Sequence, residues 1–437
     1  MRRVSIGLLG CGTVGRGFVE LLGRERDRIR GREGVDLQIR KILVRDETKR
    51  RPNINPALLT TSAIDVLDDG CDVVVELVGG VHCAGAYVRR AIDNGRNVVT
   101  ANKALLAECG HELFESAAKH QVRIGFEASV CGAIPIVRAL TRGLAGDRVR
   151  EVSGILNGTC NYILTRMEQD KLGFAECLRE AQRLGYAEAD PSFDVDGHDT
   201  AQKLAILASL AFGTKVDQRA VYVEGISSLA PEDLEWANEL GYRVKLLGVA
   251  VRTEQGIEQR VHPTMVPKDS ALAQIMGVTN AVSVDAEAMA PITLVGPGAG
   301  GAATASAVLS DIGDIARGVR TAPLGTPAAR LAAVEKAPMQ RHEGGYYIRL
   351  RAVDKPGTAA TIARRLAQQN ISLESIVQRH RGGRPLGGDA PGSAVDPVPV
   401  ILITYATTED AVRKALSAVG RDRVILGKPQ VIRIEKN

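Results

Sequence analysis

The sequence predicts an α/β protein of several domains: a doubly wound parallel sheet, then an α+β unit with a mixed open sheet, then a small βαββαβ unit. Three observations carry this. Short apolar runs alternate with helical periodicity as far as about residue 131. From 132 onward the pattern shifts to longer helical segments interleaved with β-rich stretches. Residues 321–345, with three prolines and many alanines, then read as a linker before the alternation starts afresh. At 437 residues the chain is too long for one core.

Residues 4–10 read as a short buried strand, followed by a glycine turn and a helix over 14–30. Strands are expected at 37–44 and 71–78, the latter a nearly continuous apolar run of the kind buried on both faces. A helix over 84–94 leads to a strand at 97–100, and a helix over 108–120 to a strand at 122–127. In the second unit helices are expected at 134–144, 162–169, 174–184 and 199–212. Its strands are expected at 151–156, 244–252, 256–262, 282–284 and 292–295. Gly296-Pro297-Gly298-Ala299-Gly300-Gly301 opens a helix over 303–317 that reads as a return element. The last unit runs strand 347–353, turn Asp354-Lys355-Pro356-Gly357, helix 358–369, strand 371–378, Gly/Pro loop 382–399, strand 400–404, helix 409–419 and strand 430–434. The expected domains are therefore 1–131, 132–300 with 301–320 returning to the first, a linker at 321–345, and 346–437.

Composition removes several classes of function. The 56 basic and 51 acidic residues are interspersed and aromatics are only 3%, so no stacking platform for nucleic acid is expected. Seven cysteines, an odd number without CxxC pairing, disfavour structural disulfides and a zinc site. No apolar run is long enough to span a bilayer and the N-terminus starts a strand at once, so a cytoplasmic location is expected.

Gly10-Cys11-Gly12-Thr13-Val14-Gly15 follows the first strand and opens a helix. Gly10 allows the tight turn, Gly12 the approach of a pyrophosphate, and Gly15 close helix–strand packing, the arrangement of a Rossmann-type dinucleotide site. At the end of the second strand Arg45 favours the 2′-phosphate of NADP, while Asp46 keeps NAD open. Thr100-Ala101-Asn102-Lys103 lies past the carboxyl end of a parallel strand, where ligands bind, so Thr100 and Lys103 are expected near nicotinamide or substrate. Glu127 and the loop to Pro135 offer an all-oxygen shell for a hard cation, with Ser129 as a plain helix cap the alternative. Cys131 admits two readings, a thiol nucleophile toward an aldehyde or a buried structural cysteine.

The segment 185–204 is the most informative. It places five carboxylates (Glu188, Asp190, Asp194, Asp196, Asp199) in a Gly- and Pro-punctuated loop and puts Lys203 just inside the next helix. Asp199 and Lys203, four apart, share a helix face. Acids that hold an ammonium group beside a lysine that faces a reacting oxygen suit an amino-acid substrate undergoing redox chemistry.

Together with Ile155-Leu156-Asn157-Gly158-Thr159-Cys160-Asn161-Tyr162, Val75–Gly80 and Gly296–Gly300, these segments resemble homoserine dehydrogenases that carry a C-terminal ACT domain. The resemblance implies NAD- or NADP-dependent interconversion of L-homoserine and L-aspartate 4-semialdehyde, in threonine, methionine and isoleucine biosynthesis. It implies Lys203 as the proton donor and acceptor, with Lys103 beside it. Glu188 and Asp199 would bind homoserine, supported by Asp194, and Cys11, Thr13, Val14, Gly185 and Gly300 would contact nucleotide. Glu127 with the carbonyls of Val130, Gly132 and Ile134 would hold sodium. Asp354 and Gly357 mark the ACT domain's regulatory turn, with threonine the implied effector and a homo-oligomer the implied assembly. Residues 381–397 are longer and richer in Gly and Pro than the family pattern, which loosens the expectation of threonine as effector. Two other readings are a semialdehyde dehydrogenase using Cys131 and a non-catalytic amino-acid sensor.

Overall fold

The computed structural model describes residues 2–68, 70–378 and 397–435. Its first unit is a six-stranded parallel sheet: β1 (Arg2–Leu9), β2 (Val35–Leu43), β3 (Leu59–Thr60), β4 (Val73–Glu76), β5 (Asn97–Thr100) and β6 (Ile124–Gly125). The strand order β3-β2-β1-β4-β5-β6 reverses direction between β1 and β4, which opens a ligand crevice at their carboxyl ends. Helices α1 (Thr13–Glu33), α2 (Ala63–Leu67), α3 (His82–Asp93) and α4 (Lys103–Lys119) complete the crossovers. Strand alternation divides β4 between two cores: Val73 and Val75 pack with Phe18 and Leu22 of α1, while Val74 packs with Val88 and Ile92 of α3 and Leu113 of α4. The fourth helix begins five residues before the expected 108, because Asn102 caps it by accepting the Leu105 N–H.

The second unit contains α5 (Ile136–Arg138), which runs on as a π-helical turn over Ala139–Gly143, then β7 (Val149–Ile155), α6 (Gly158–Asp170), α7 (Phe174–Arg183), α8 (Ser192–Val195) and α9 (His198–Phe212). It continues through β8 (Tyr222–Val223), α10 (Pro231–Glu239), β9 (Tyr242–Thr253), β10 (Gly256–Pro267), β11 (Thr279–Ala286) and β12 (Ile292–Pro297), after which α11 (Gly301–Ala316) packs back on the first unit, Ala305 and Val308 sharing a core with Phe18 of α1. The sequence reading omits α10. Its signal is Pro231 at the first helical position and Asp233, whose carboxylate accepts the Ala230 N–H. The strands pair antiparallel in the order β12-β11-β7-β9-β10.

The last unit is β13 (Glu343–Ala352), α12 (Thr358–Ala367), β14 (Leu373–Gln378), β15 (Val398–Thr404), β16 (Thr407–Thr408), α13 (Glu409–Arg421) and β17 (Gln430–Ile434). Its four main strands run β17-β13-β15-β14, the ferredoxin-like order, around a core of Ile348, Leu350, Ile362, Leu402 and Val412. The two sheets are continuous. The outer edge of β10 takes β8 in parallel at Arg260 and Val261, and β17 in parallel at Thr264 and Met265, which makes the combined sheet mixed. Residues 321–345 do not hang free between the units: Lys215 N–H donates to Ala332 O, and Ile257 N–H to Glu335 O. Among the described residues no helix is long and apolar enough to cross a membrane.

Candidate active site

Helix α9 carries the two residues on which the site turns. Gly197, at φ 89°, starts it, and nearly every face of the helix is buried. Asp199 Oδ2 accepts from Lys203 Nζ at 2.8 Å, while Asp199 Oδ1 lies 3.1 Å from Lys103 Nζ at the start of α4. One buried carboxylate therefore pairs with a lysine from each unit. Burial disfavours the charge on Asp199, but Lys203, Lys103 and an Asn157 hydrogen bond outweigh it and hold the carboxyl well below its usual range. Burial likewise pushes Lys203 down, and Asp199, Cys131 and Asp194 more than offset this, leaving the ammonium above its ordinary 10.5. Lys203 donates to Leu156 O at 2.7 Å as well as to Asp199. An ammonium has three N–H donors, so one is left for a ligand oxygen.

The sequence reading places Asn157 in a matching block but gives it no role, and the structure supplies one. Its Oδ1 accepts the Cys160 N–H at 2.8 Å and caps α6, while its Nδ2 donates to Asp194 Oδ1 and Asp199 Oδ2, each at 2.8 Å. Asp194 is thereby held beside Asp199. Burial and the neighbouring Asp199 charge raise its carboxyl, with Asn157 acting against them. The signal available in the sequence was an asparagine just before a helix, which reads only as a cap.

At the first glycine turn, a Cβ on Gly10 would lie 2.7 Å from Leu77 O and one on Gly15 2.4 Å from Gly10 O, so both are glycine for packing. A Cβ on Gly12 would meet nothing within 4 Å. That open space faces the start of α1, where no side chain caps the first-turn amides, and such an end suits a pyrophosphate. Gly301 abuts the same place, its Cβ position 3.0 Å from Thr13 O, which brings Gly300 (φ 123°) to the turn. Burial raises the Cys11 thiol, and the charges of Arg51 and Arg16 act against it. Arg45 is exposed beyond β2. Asp46 turns inward on itself, Oδ1 accepting from the Thr48 N–H at 2.8 Å and the Thr48 hydroxyl at 2.6 Å. Thr100 donates to the fully buried Glu76 at 2.7 Å and accepts the Asn102 N–H, so it braces the crevice floor.

Other expected residues stand apart from the lysine pair. Gly185 and Glu188 are exposed on the α7–α8 connection, and the Glu188 backbone carbonyl is held by the Gln182 amide at 3.0 Å. Its carboxylate makes no hydrogen bond to the cluster. Cys131 is fully buried at φ 54°, with its thiol raised by burial, so it lacks both the exposure and the thiolate character of a nucleophile. Glu127 spends its carboxylate oxygens on the Val137 and Arg138 N–H groups at 2.8 and 3.0 Å, and burial with Asp311 nearby pushes it up to about 7. Cys131 and Gly132 are consecutive left-handed residues, a tight turn that also carries the Val130, Gly132 and Ile134 carbonyls. Among the described residues no group of three or more His, Cys, Asp or Glu is placed to hold a metal. Asp354 and Gly357 (φ 91°) form an exposed turn before α12. Most of 381–397 lies outside the described residues.

Known proteins share this architecture. Residues 10–127 match the family model of the homoserine dehydrogenase NAD binding domain, 135–312 that of homoserine dehydrogenase, and 346–418 that of the ACT domain. The chain is 43% identical over 426 residues to a homoserine dehydrogenase of Neisseria gonorrhoeae, covering 96% of this chain and 95% of that one. It is 40% identical to that of Pseudomonas aeruginosa over the full length of both. A solved homoserine dehydrogenase from Thiobacillus denitrificans superimposes with a TM-score of 0.92 at 41% identity, covering 100% of this chain and 99% of that chain. With a dinucleotide crevice, a lysine–aspartate–lysine cluster across it and an ACT unit fused behind, the chain belongs to the homoserine dehydrogenase family, enzymes that are NAD(P)-linked oxidoreductases.

Proposed function

We propose that the chain interconverts L-homoserine and L-aspartate 4-semialdehyde, on the route to threonine, methionine and isoleucine, in the cytoplasm. The observation that carries this is Asp199 paired with both Lys203 and Lys103 at the mouth of the nucleotide crevice. A bound nicotinamide supplies the hydride in one direction and accepts it in the other. The remaining N–H of Lys203 hydrogen-bonds the substrate oxygen and stabilises negative charge as it develops there. In reduction Lys203 delivers a proton; in oxidation it must first be neutral to receive one. Asp199 keeps both lysines fixed, and Asp194 and Glu188 are the anions for the substrate ammonium.

The open space at Gly12 and the uncapped start of α1 fit a pyrophosphate, with Gly10, Cys11, Thr13, Val14, Gly15, Gly185 and Gly300 around it. NADP is favoured, since Arg45 is available and the Asp46 carboxylate is engaged by Thr48. The Val130, Gly132 and Ile134 carbonyls fit a sodium ion by donor chemistry, with the Glu127 carboxylate directed instead to the helix amides. Threonine is the proposed effector of the ACT domain, through the turn at Asp354 and Gly357. A homo-oligomer is proposed because the sheet ends in two free edges among the described residues, β12 and β14, with Val295 and Ile376 exposed on them.

Absorbance at the nicotinamide band, with homoserine and NADP or NAD, with and without threonine, tests the activity, the cofactor preference and the effector. Lys203→Ala should retain cofactor binding and lose about 10²–10⁴-fold in turnover. A Lys203→Ala enzyme within a few-fold of wild type would refute the assignment, and a threonine titration that moves neither rate nor melting would refute the effector.

A further inference from the structure

On the outer edge of β10, β8 and β17 lie end to end, and a charge cluster built on the buried Arg433 and Glu409, with the half-buried Glu224 beside them, fills the junction. Arg433 of β17 donates to Glu224 at 2.7 Å and, through two nitrogens, to Glu409 of α13 at 2.8 and 3.0 Å. Its guanidinium lies 5.3 Å from the centre of the Tyr222 ring. The Tyr222 hydroxyl donates to Glu224 at 3.2 Å and accepts from Arg413 at 3.1 Å. Glu224 and Tyr222 belong to the catalytic unit; Arg433, Glu409 and Arg413 belong to the ACT domain.

The backbone that follows Glu224 is pressed against the catalytic turn. Ile226 N–H donates to Val195 O at 2.9 Å. A Cβ on Gly225 would lie 2.3 Å from Val195 O and 2.6 Å from Asp196 Cα, so only glycine permits the contact. From the other side, a Cβ on Gly197 would lie 3.1 Å from the side chains of Val223 and Val261. Residues 222–226 are thus the seat of 195–197, with Asp194 immediately before that turn and Asp199 and Lys203 immediately after it.

We propose that Glu224 is a positioning residue through which the ACT domain holds the catalytic turn: the Arg433–Glu224 ion pair fixes 222–226, and that segment fixes the backbone carrying Asp194, Asp199 and Lys203. This rests on the reading of Lys203 given above. It makes the ACT domain part of the scaffold of the active site, and a displacement of β17 against β10 reaches the catalytic turn without any contact between effector and substrate.

The test is a double-mutant cycle in the full-length enzyme with Glu224→Gln, Arg433→Met and the pair, followed by kcat, KM, thermal melting and hydrogen exchange at the Ile226 amide. Displacement of catalytic groups by about 1 Å corresponds to about 10- to 100-fold in rate, the expected loss of kcat in each single variant. KM for the nicotinamide cofactor should stay within about twofold, and the double variant should lose no more than the worse single one. Ile226 exchange should accelerate, and Arg433→Lys should recover part of the rate. Should Arg433→Met not fold, Arg433→Lys takes its place in the cycle. Wild-type kcat in Glu224→Gln, additive losses, or an unchanged Ile226 amide would overturn the coupling. Lys203→Ala measured alongside separates the two failures: if it stays active the site reading falls, and the coupling with it; if it is inactive while Glu224→Gln is normal, the coupling alone falls.

Discussion

Asn157 allows the catalytic clamp to be separated from helix capping. Its Oδ1 caps α6 through Cys160, and its Nδ2 bridges Asp194 and Asp199 at 2.8 Å each. Serine caps a helix about as well as asparagine but is too short to bridge the two carboxylates. Asn157→Ser therefore keeps the cap and removes two hydrogen bonds to charged acceptors, each contributing about 1.5–3 kcal/mol. If the bond to Asp199 alone is expressed in the transition state, at about 1.36 kcal/mol per decade, kcat falls about 10- to 150-fold. Melting should drop by only a few degrees, because water can reach Asp194 in place of the amide. Asn157→Asp should keep the cap and be the worse enzyme, because it sets a third carboxylate against Asp194 and Asp199. Steady-state rates at saturating homoserine and a thermal melt decide the matter. An Asn157→Ser variant with wild-type kcat, or an Asn157→Asp variant no worse than Asn157→Ser, would refute the reasoning.

The pH dependence follows from Lys203, whose folded value lies above its ordinary 10.5. Such a group is charged at neutrality; its stabilisation is fully present below about 10.5 and lost as pH climbs through the higher folded value. Aldehyde reduction should therefore be flat across neutral pH while homoserine oxidation keeps rising beyond about pH 9, and a plateau of oxidation at neutrality would contradict it. Cys131→Ala should keep activity within a few-fold, because the thiol is fully buried, whereas abolished turnover would restore the acyl-enzyme reading. Arg45→Gln should raise KM for NADP about tenfold and leave KM for NAD unchanged; equal changes would count against a 2′-phosphate contact.

The sequence shows the fold most clearly where one periodicity dominates. The run Val73-Val74-Val75 and the segment at 430–434 are short, β-branched and bounded by turn residues, so both read as strands, while the parallel pairing of β17 with β10 is not legible in either. The Gly10–Gly15 turn is legible for the same reason, since packing alone demands two of its three glycines. What escaped depends on tertiary contact. The 134–144 helix is interrupted by a π-helical turn, while the side chain of Arg138 reaches across to Asp311 and Asp314 on α11. Residues 321–345 resemble a linker by composition, yet their carbonyls meet Lys215 and Ile257, a pairing with no local signature. The site divides in the same way. Asp199 and Lys203 are four apart on one helix, so their pairing is local and legible. Lys103 reaches Asp199 from 96 positions away, and the fork at Asn157 joins three separate elements.

That long-range pair ties the catalytic groups to the contact between the two units. The chain passes between the nucleotide and catalytic units twice, at 131–133 and 297–301, and the two passages touch. Ala133 N–H donates to Pro297 O at 3.2 Å, and a Cβ on Gly132 would lie 2.7 Å from Gly298 O. Two backbones in contact, each with a positive-φ glycine, tie the units together along one line. Helix α11 bridges the two units, its Asp311 accepting the Glu127 N–H of the nucleotide unit while Arg138 of α5, in the catalytic unit, binds both Asp311 and Asp314. Away from the line, Lys103 stands on the nucleotide unit and Asp199 on the catalytic unit, 3.1 Å apart. The helices that carry them are packed together, Leu105 and Leu106 of α4 sharing one core with Leu204 and Ala205 of α9. Asp199 thus spans the contact between the units and the proton-transfer site, so a substrate anion or ammonium that competes for either lysine or for the carboxylate acts on both at once.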